Sequence, residues 1–98
     1  MKTASVTIGE ILLEDFMKPL GLTIYRLAKD VGVSSARISD IIKGKSALSI
    51  DTALRLGIYF GNGPGIWLRM QSECELRKAK KIELRLRKKI KPCQSLIA

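Results

Sequence analysis

The fold is decided by residues Thr23–Lys45, which read TIYRLAKDVGVSSARISDIIKGK. Two hydroxyl residues, Thr23 and Ser34, stand just ahead of two short runs with helical periodicity, where N-cap residues are expected. Gly32 lies between the runs, and a glycine there can take the left-handed conformation that turns the chain. The stretch therefore predicts two short helices joined by a tight turn.

The apolar residues of this stretch predict how the two helices pack. Ala28 is small where the first helix must approach the second, and Val33 is placed to fill the corner between them. The side chains expected to be buried recur at helical spacing: Ile24, Leu27, Ala28, Val31, Ile38, Ile41 and Ile42. This pattern is typical of the helix-turn-helix motif, whose second helix enters the major groove of DNA.

The opposite side of the second helix is predicted to face outward and to bind DNA. Short side chains there let the backbone approach base edges, Arg37 can pair with guanine, and Ala36 can touch a thymine methyl group. Asp40 could accept a hydrogen bond from cytosine or pair with Arg37. Amide groups behind Ser34, and several side chains, could contact phosphates. The complete predicted DNA-binding set is Thr23, Ser34, Ser35, Ala36, Arg37, Ser39, Lys43, Lys45 and Ser46.

Three further helices are predicted around the motif. The first opens at Thr7, with Glu10 at capping-box spacing, and ends at Pro19 and Gly21. The fourth begins at Ser49 or Asp51 and ends at Gly61. The fifth begins at Pro64, after a cluster of helix-breaking residues, because proline suits the first turn of a helix. Five helices and no long strand predict an all-α fold.

The far end of the fifth helix is ambiguous in the sequence. Residues 82–87 alternate as a strand would, whereas Leu76, Ala79, Ile82, Leu86 and Ile90 form a helical stripe. We predict a helix to about residue 90, limited by Pro92, and a loose tail over 93–98. The chain divides into a DNA-binding domain over 1–74, with its motif at 23–43, and a basic helical extension and tail over 75–98.

Composition excludes several classes of protein. The 98 residues suit one domain, and 46% hydrophobic residues allow a core, although only 5% are aromatic. Histidine is absent, and the two cysteines, Cys74 and Cys93, lack the spacing of a metal site or a disulfide framework. With no histidine, no catalytic pair of carboxylates and no phosphate-binding glycine loop, we predict no enzyme, metal or cofactor. No signal peptide and no membrane span are recognised, so we expect a cytoplasmic protein.

Charge is unevenly distributed along the chain. The net charge is +9, of which +7 falls in residues 75–98 and only +2 in residues 1–74. Such a surplus attracts polyanions. Three interpretations of residues 77–91 stay open: a solvated helix face; a helix that binds a partner or a second copy through its apolar stripe; or a helix that contacts phosphates or an anionic membrane. The last would use Lys80, Lys81, Arg85, Lys88 and Lys89.

Several blocks together resemble a known family. They are residues 9–16 (GEILLEDF), 19–23 (PLGLT), 37–45 (RISDIIKGK), 51–56 (DTALRL) and Trp67-Leu68. In order and spacing these blocks are similar to the HigA-type antitoxins of the Xre/Cro repressor-like superfamily, over roughly residues 7–80. The resemblance implies a five-helix, lambda-repressor-like domain that dimerises on an inverted-repeat operator. Its recognition positions carry over onto Ser34, Ser35, Ala36, Arg37 and Ser39.

The resemblance also implies a transcriptional repressor of its own operon that neutralises a RelE-like, messenger-RNA-cleaving toxin. The alternative is a stand-alone or phage-derived Xre-type regulator without a toxin, because both would need the same fold. A protein-interaction or membrane-surface module is a further alternative, motivated by the basic C-terminal segment. The expected partners are therefore double-stranded operator DNA, a toxin protein and a second copy of the chain.

Overall fold

The structure, a computed structural model, describes residues 6–94, within which it contains six helices and no strand. The first helix, α1, is an α-helical turn continued by a π-helical segment. The prediction of an all-α fold is confirmed, although one helix more than the expected five is present. The helices are α1 (Ile8–Ile11 with Leu12–Met17), α2 (Ile24–Val31), α3 (Ser35–Ile42), α4 (Ile50–Phe60), α5 (Pro64–Lys78) and α6 (Lys80–Lys89).

Helices α1 to α4 begin where the capping residues predict. In α1 the Thr7 hydroxyl accepts from the Glu10 amide at 3.1 Å, and Glu10 Oε1 accepts from the Thr7 amide at 2.9 Å. Hydroxyl N-caps also open α2 at Thr23, α3 at Ser34 and α4 at Ser49. Because each cap satisfies orphan amides by local hydrogen bonds, these starts are readable from the sequence.

The core lies where α1, α4 and α5 meet the helix-turn-helix pair. Trp67 of α5 is fully buried, and its indole Nε1 donates to Asn62 Oδ1 at 3.1 Å. The rings of Phe16 and Phe60 lie 4.7 and 5.8 Å from it, between centroids. This aromatic group joins α1 and α4 to α5, and aliphatic residues fill the rest: Ile8, Leu12, Met17, Leu27, Ala28, Val31, Ile38, Ile41, Leu48, Ala53 and Leu56.

The prediction of one helix from Pro64 to about residue 90 is wrong. Helix α5 ends at Lys78, and Ala79 separates it from α6 with φ −87° and ψ 6°. No glycine or proline marks this break in the sequence. Cys74 is the last buried residue of α5 and no residue of α6 is buried, so the break lies where the chain has left the core.

Several predictions fall outside what the structure tests. The division into residues 1–74 and 75–98 stays a prediction, and residues 1–5 and 95–98, the latter within the predicted tail, lie outside the described residues. Within residues 6–94, no helix combines the length and the apolar character needed to cross a membrane.

Candidate nucleic-acid interface

The turn between α2 and α3 has the predicted geometry. Gly32 adopts φ +77° and ψ 33°, and its amide donates to the Ala28 carbonyl oxygen at 2.9 Å. The amide of Val33 donates to the same oxygen at 3.1 Å, so two amides close the end of α2. Ala28 is buried and Val33 packs against the core, as the sequence predicts. This turn fixes the direction in which α3 leaves α2.

Arg55 of α4 reinforces the turn from outside the motif. Its Nη1 donates to the Val31 carbonyl oxygen at 2.8 Å and to that of Gly32 at 3.4 Å. Its Nε donates to Asp51 Oδ2 at 2.8 Å, which holds the guanidinium in place. Carbonyls at a helix end lack intrahelical partners, and a cation suits the negative end of the helix dipole. Sequence reasoning missed this residue, for which the only signal was an acid–arginine pair four residues apart.

The outward face of α3 presents short polar side chains, as predicted. Ser34, Ser35, Ala36 and Arg37 are exposed, and the Ser34 hydroxyl accepts from the Arg37 amide at 3.1 Å. Ser39 is half-buried on the same helix. The opposite face carries Ile38 and Ile41, which are fully buried, together with the partly buried Ile42. Burial of the isoleucines therefore fixes which side chains of α3 face outward.

The loop after α3 brings further predicted residues to the same surface. The amides of Lys45 and Ser46 both donate to the Asp40 carbonyl oxygen, at 2.8 and 3.2 Å. Ser46 then lies beside α3, and Lys43 and Lys45 are exposed. A shallow concavity of about 260 Å³ unites five side chains of the helix and this loop: Ser34, Ala36, Arg37, Asp40 and Ser46.

Gln71 of α5 holds the far end of this loop and was not predicted. Its Oε1 accepts from the Leu48 amide at 2.7 Å, and its Nε2 donates to the Leu48 carbonyl oxygen at 3.1 Å. The side chain thus satisfies both backbone groups of a buried residue, which would otherwise be costly. The loop that carries Lys45 is consequently fixed at both ends, by Asp40 and by Gln71.

Thr23 lies apart from the concavity. It is exposed at the start of α2, where its hydroxyl accepts from the Arg26 amide at 3.0 Å. Further along α2, Asp30 Oδ2 accepts from the Tyr59 hydroxyl at 2.6 Å and from Arg26 Nε at 2.9 Å. These two hydrogen bonds, the one from Tyr59 first, lower the pKa of Asp30. The network ties α2 to α4 behind the motif.

Two features bear on the charge of the surface. Among the described residues no ion pair joins Arg37 to Asp40, so the pairing suggested by the sequence is not formed. Within 6–94 there is also no cluster of cysteine and carboxylate side chains suited to a metal ion. The side chains of Arg37, Lys43 and Lys45 are exposed on this surface, so an anion or a base edge can reach them.

The basic residues of α6 are exposed along its whole length. Two of its cations are paired: Glu83 lies 2.9 Å from Arg87 Nη2 and 3.9 Å from Lys80 Nζ. The apolar residues Ile82, Leu84, Leu86 and Ile90 are 46–63% exposed. This segment is helical rather than extended, as predicted, but the helix is uncovered on every side.

Comparison with known proteins places this geometry in context. The profile of the Helix-turn-helix family matches residues 13–67. The chain is 45% identical over 71 residues to virulence-associated protein I of Dichelobacter nodosus, covering 72% of this chain and 66% of that protein. It is 35% identical over 75 residues to antitoxin HigA-1 of Vibrio cholerae, covering 76% and 70%. Among solved structures, Pseudomonas aeruginosa antitoxin HigA with the higBA promoter is similar, with a TM-score of 0.82, 29% identity, and coverage of 90% and 97%.

Proposed function

This chain belongs to the helix-turn-helix family, among relatives that include HigA antitoxins, and from that premise we propose that it is a sequence-specific repressor acting in the cytoplasm. The expectation that it is not an enzyme agrees with this family. The observation that carries the proposal is the exposed face of α3, where short polar side chains and Arg37 border one concavity with the loop residue Ser46.

The proposed mechanism assigns different tasks to the side chains of this surface. Arg37 reads a guanine through a bidentate contact, and Ala36 touches a thymine methyl group. Ser35 and Ser39 contact the bases or backbone near them. The amides behind Ser34 bind a phosphate. The remaining members of the set position the protein on phosphates without reading sequence: Thr23, Lys43, Lys45 and Ser46.

The proposed protein acts as a symmetric dimer. Two copies would present their α3 helices about 34 Å apart, one turn of duplex, and would read an inverted repeat. Repression then follows because an occupied promoter is closed to transcription. The P. aeruginosa HigA structure with the higBA promoter, similar along 90% of this chain, supports binding to promoter DNA.

We further propose that the chain is the antitoxin of a two-protein module. It would repress its own operon and bind a RelE-like toxin that cleaves messenger RNA; the similarity to HigA-1 of V. cholerae supports this assignment. Co-expression with the product of the neighbouring gene tests it: we expect a stable complex and restored growth. A neighbouring product that is neither toxic nor bound would leave the alternative, a stand-alone regulator.

The first prediction concerns Arg37. We expect Arg37→Ala to weaken binding to a fragment of the chain's own promoter by about 1–3 kcal/mol and to relax the choice of base at one position of each half-site. The exposed guanidinium has no partner among the described ion pairs, so its removal should leave folding intact. Anisotropy titrations on the promoter and on random duplex measure the effect.

Lys45 and Lys18 provide the comparison for this prediction. Lys45→Ala should weaken binding to promoter and random duplex equally, because a phosphate contact carries no sequence information. Lys18→Ala removes an exposed cation that pairs with Glu14 and is not in the predicted DNA-binding set, so it should change neither affinity. An equal loss on both duplexes for Arg37→Ala would contradict its role as a base reader.

The second prediction concerns α6, whose cations we propose to bind phosphates outside the operator core. Replacing five of them by glutamine should flatten the dependence of log affinity on log salt by about 0.9 for each residue that contacts a phosphate. Glutamine is a good helix former, so circular dichroism should be unchanged. A salt slope equal to that of the native chain would refute phosphate contact by α6. The residues replaced are Lys80, Lys81, Arg85, Lys88 and Lys89.

A further inference from the structure

Helix α4 leaves a row of three aliphatic side chains in water. Ile50 is 67% exposed, Leu54 44% and Ile58 81%. They are spaced four residues apart, so they lie along one face of the helix. The opposite face carries Ala53 and Leu56, which are fully buried. We call the exposed row of Ile50, Leu54 and Ile58 the α4 stripe.

Charge around the α4 stripe differs from that of the rest of the chain. Helix α4 contains one acid, Asp51, and one base, Arg55, so it is neutral while the whole chain carries +9. A neutral apolar row has no attraction for DNA, and it offers no acidic surface to a basic protein. A second copy of the chain meets no net repulsion at α4. At α6, by contrast, two copies would bring like-charged surfaces together, which costs affinity.

The spacing of the α4 stripe is also self-complementary. If two α4 helices pair antiparallel about a two-fold axis at Leu54, Ile50 lies opposite Ile58 of the partner subunit. In the same register Asp51 lies within two helical positions, about 3 Å along the axis, of Arg55 of the partner subunit. Asp51 and Arg55 flank the stripe on the same side. The two-fold axis therefore places Asp51 of each subunit near Arg55 of the partner subunit, which gives two pairs of opposite charges.

We propose that the α4 stripe is the surface through which two copies of this chain associate, antiparallel and centred on Leu54. The inference deepens the proposed function, since reading an inverted repeat requires a dimer. Arg55 connects this surface to the turn between α2 and α3. Its side chain lies beside the α4 stripe and also donates to the carbonyl oxygens of Val31 and Gly32. Association at α4 therefore bears directly on the turn that orients α3.

The first test places a charge on the proposed two-fold axis. Leu54→Arg should raise the dimer dissociation constant about 100-fold or more, because like charges then face each other across the interface. Sedimentation velocity over a range of concentrations measures this. Leu76→Arg is the matched control, since Leu76 is 67% exposed on α5, and it should remain dimeric. Ile58→Arg, at a position 81% exposed, gives the same test if Leu54→Arg fails to fold.

The second test examines the register. In a Cys93→Ser background, chains with Ile50→Cys should form a disulfide with chains carrying Ile58→Cys. Chains with Ile50→Cys alone should not, because their two cysteines would be eight residues, about 12 Å, apart along the axis, beyond the reach of a disulfide. Cross-linking of Ile50→Cys chains to each other, but not to Ile58→Cys chains, would overturn the antiparallel register.

The outcomes separate this inference from the proposed function. If Leu54→Arg and Ile58→Arg remain dimeric, or the native chain is a monomer at every concentration, the inference is overturned whether or not the promoter is bound. If both variants become monomers while the native dimer ignores the promoter, the inference stands and the repressor proposal fails. Both proposals are supported if the native chain is a dimer that binds the promoter and the two variants are monomers that bind it weakly.

Discussion

Gly9→Ala is expected to lower the free energy of unfolding by about 3 kcal/mol, at the upper end of what overpacking costs. Gly9 is buried in α1, and a Cβ added there would overlap the carbonyl oxygen of Ile41. It would also lie 2.7 Å from the Ile42 carbonyl oxygen and 2.9 Å from its Cα. All three atoms are backbone, so no side-chain rotation relieves the overlap, and α1 and α3 must move apart.

The same substitution should also weaken DNA binding in the fraction that remains folded. Ile41 and Ile42 end α3, so displacing them tilts the helix that we propose to read bases. Urea unfolding followed by the fluorescence of Trp67, the only tryptophan of the chain, gives the stability, and promoter titration at low temperature gives the affinity.

Gly65→Ala is the matched control for Gly9→Ala. The nearest atoms to a Cβ at Gly65 would all belong to the guanidinium of Arg69, with Nη1 at 2.8 Å, and this is the far end of a flexible side chain. Its unfolding midpoint should stay close to that of the native chain. If Gly9→Ala also unfolds at the native midpoint, the close packing of α1 on α3 is contradicted.

The parts of the fold that the sequence predicts are those set by neighbouring residues. Thr7, Thr23, Ser34 and Ser49 cap helices through hydrogen bonds that span three residues. The turn at Gly32 likewise depends on a backbone conformation that glycine adopts readily. These features can be predicted from one sequence because the capping residue and the amide that it binds lie within one turn of helix.

The parts that could not be predicted depend on contacts between distant residues. Arg55 reaches a carbonyl 24 residues away and Gln71 an amide 23 residues away. Gly9 is required by the backbone of residues more than 30 positions later. The break at Ala79 has no glycine or proline beside it, so the sequence carries no local signal for it. For this reason the outward face of α3 was predictable, whereas the side chains that hold its turn and loop were not.

Trp67→Ala should remove about 3–5 kcal/mol of stability, the usual cost of truncating a fully buried aromatic residue. Truncation leaves a cavity beside the rings of Phe16 and Phe60 and frees the Asn62 Oδ1 that the indole now occupies. Small domains are stable by only about 5–15 kcal/mol, so a large share would be lost. Thermal unfolding followed by circular dichroism measures it, since the variant has no tryptophan.

Trp67→Phe separates the packing of the ring from its hydrogen bond. It keeps an aromatic ring in the cluster but gives up the contact to Asn62, so it should lose clearly less stability than Trp67→Ala. Equal losses would mean that the hydrogen bond to Asn62, and not ring packing, accounts for the stability that Trp67 provides. Trp67 touches neither α3 nor its loop in any described hydrogen bond or ring contact. The folded fraction of either variant should therefore bind the promoter as tightly as the native chain, whereas Gly9→Ala should weaken both folding and binding, since its added methyl group displaces α3 itself.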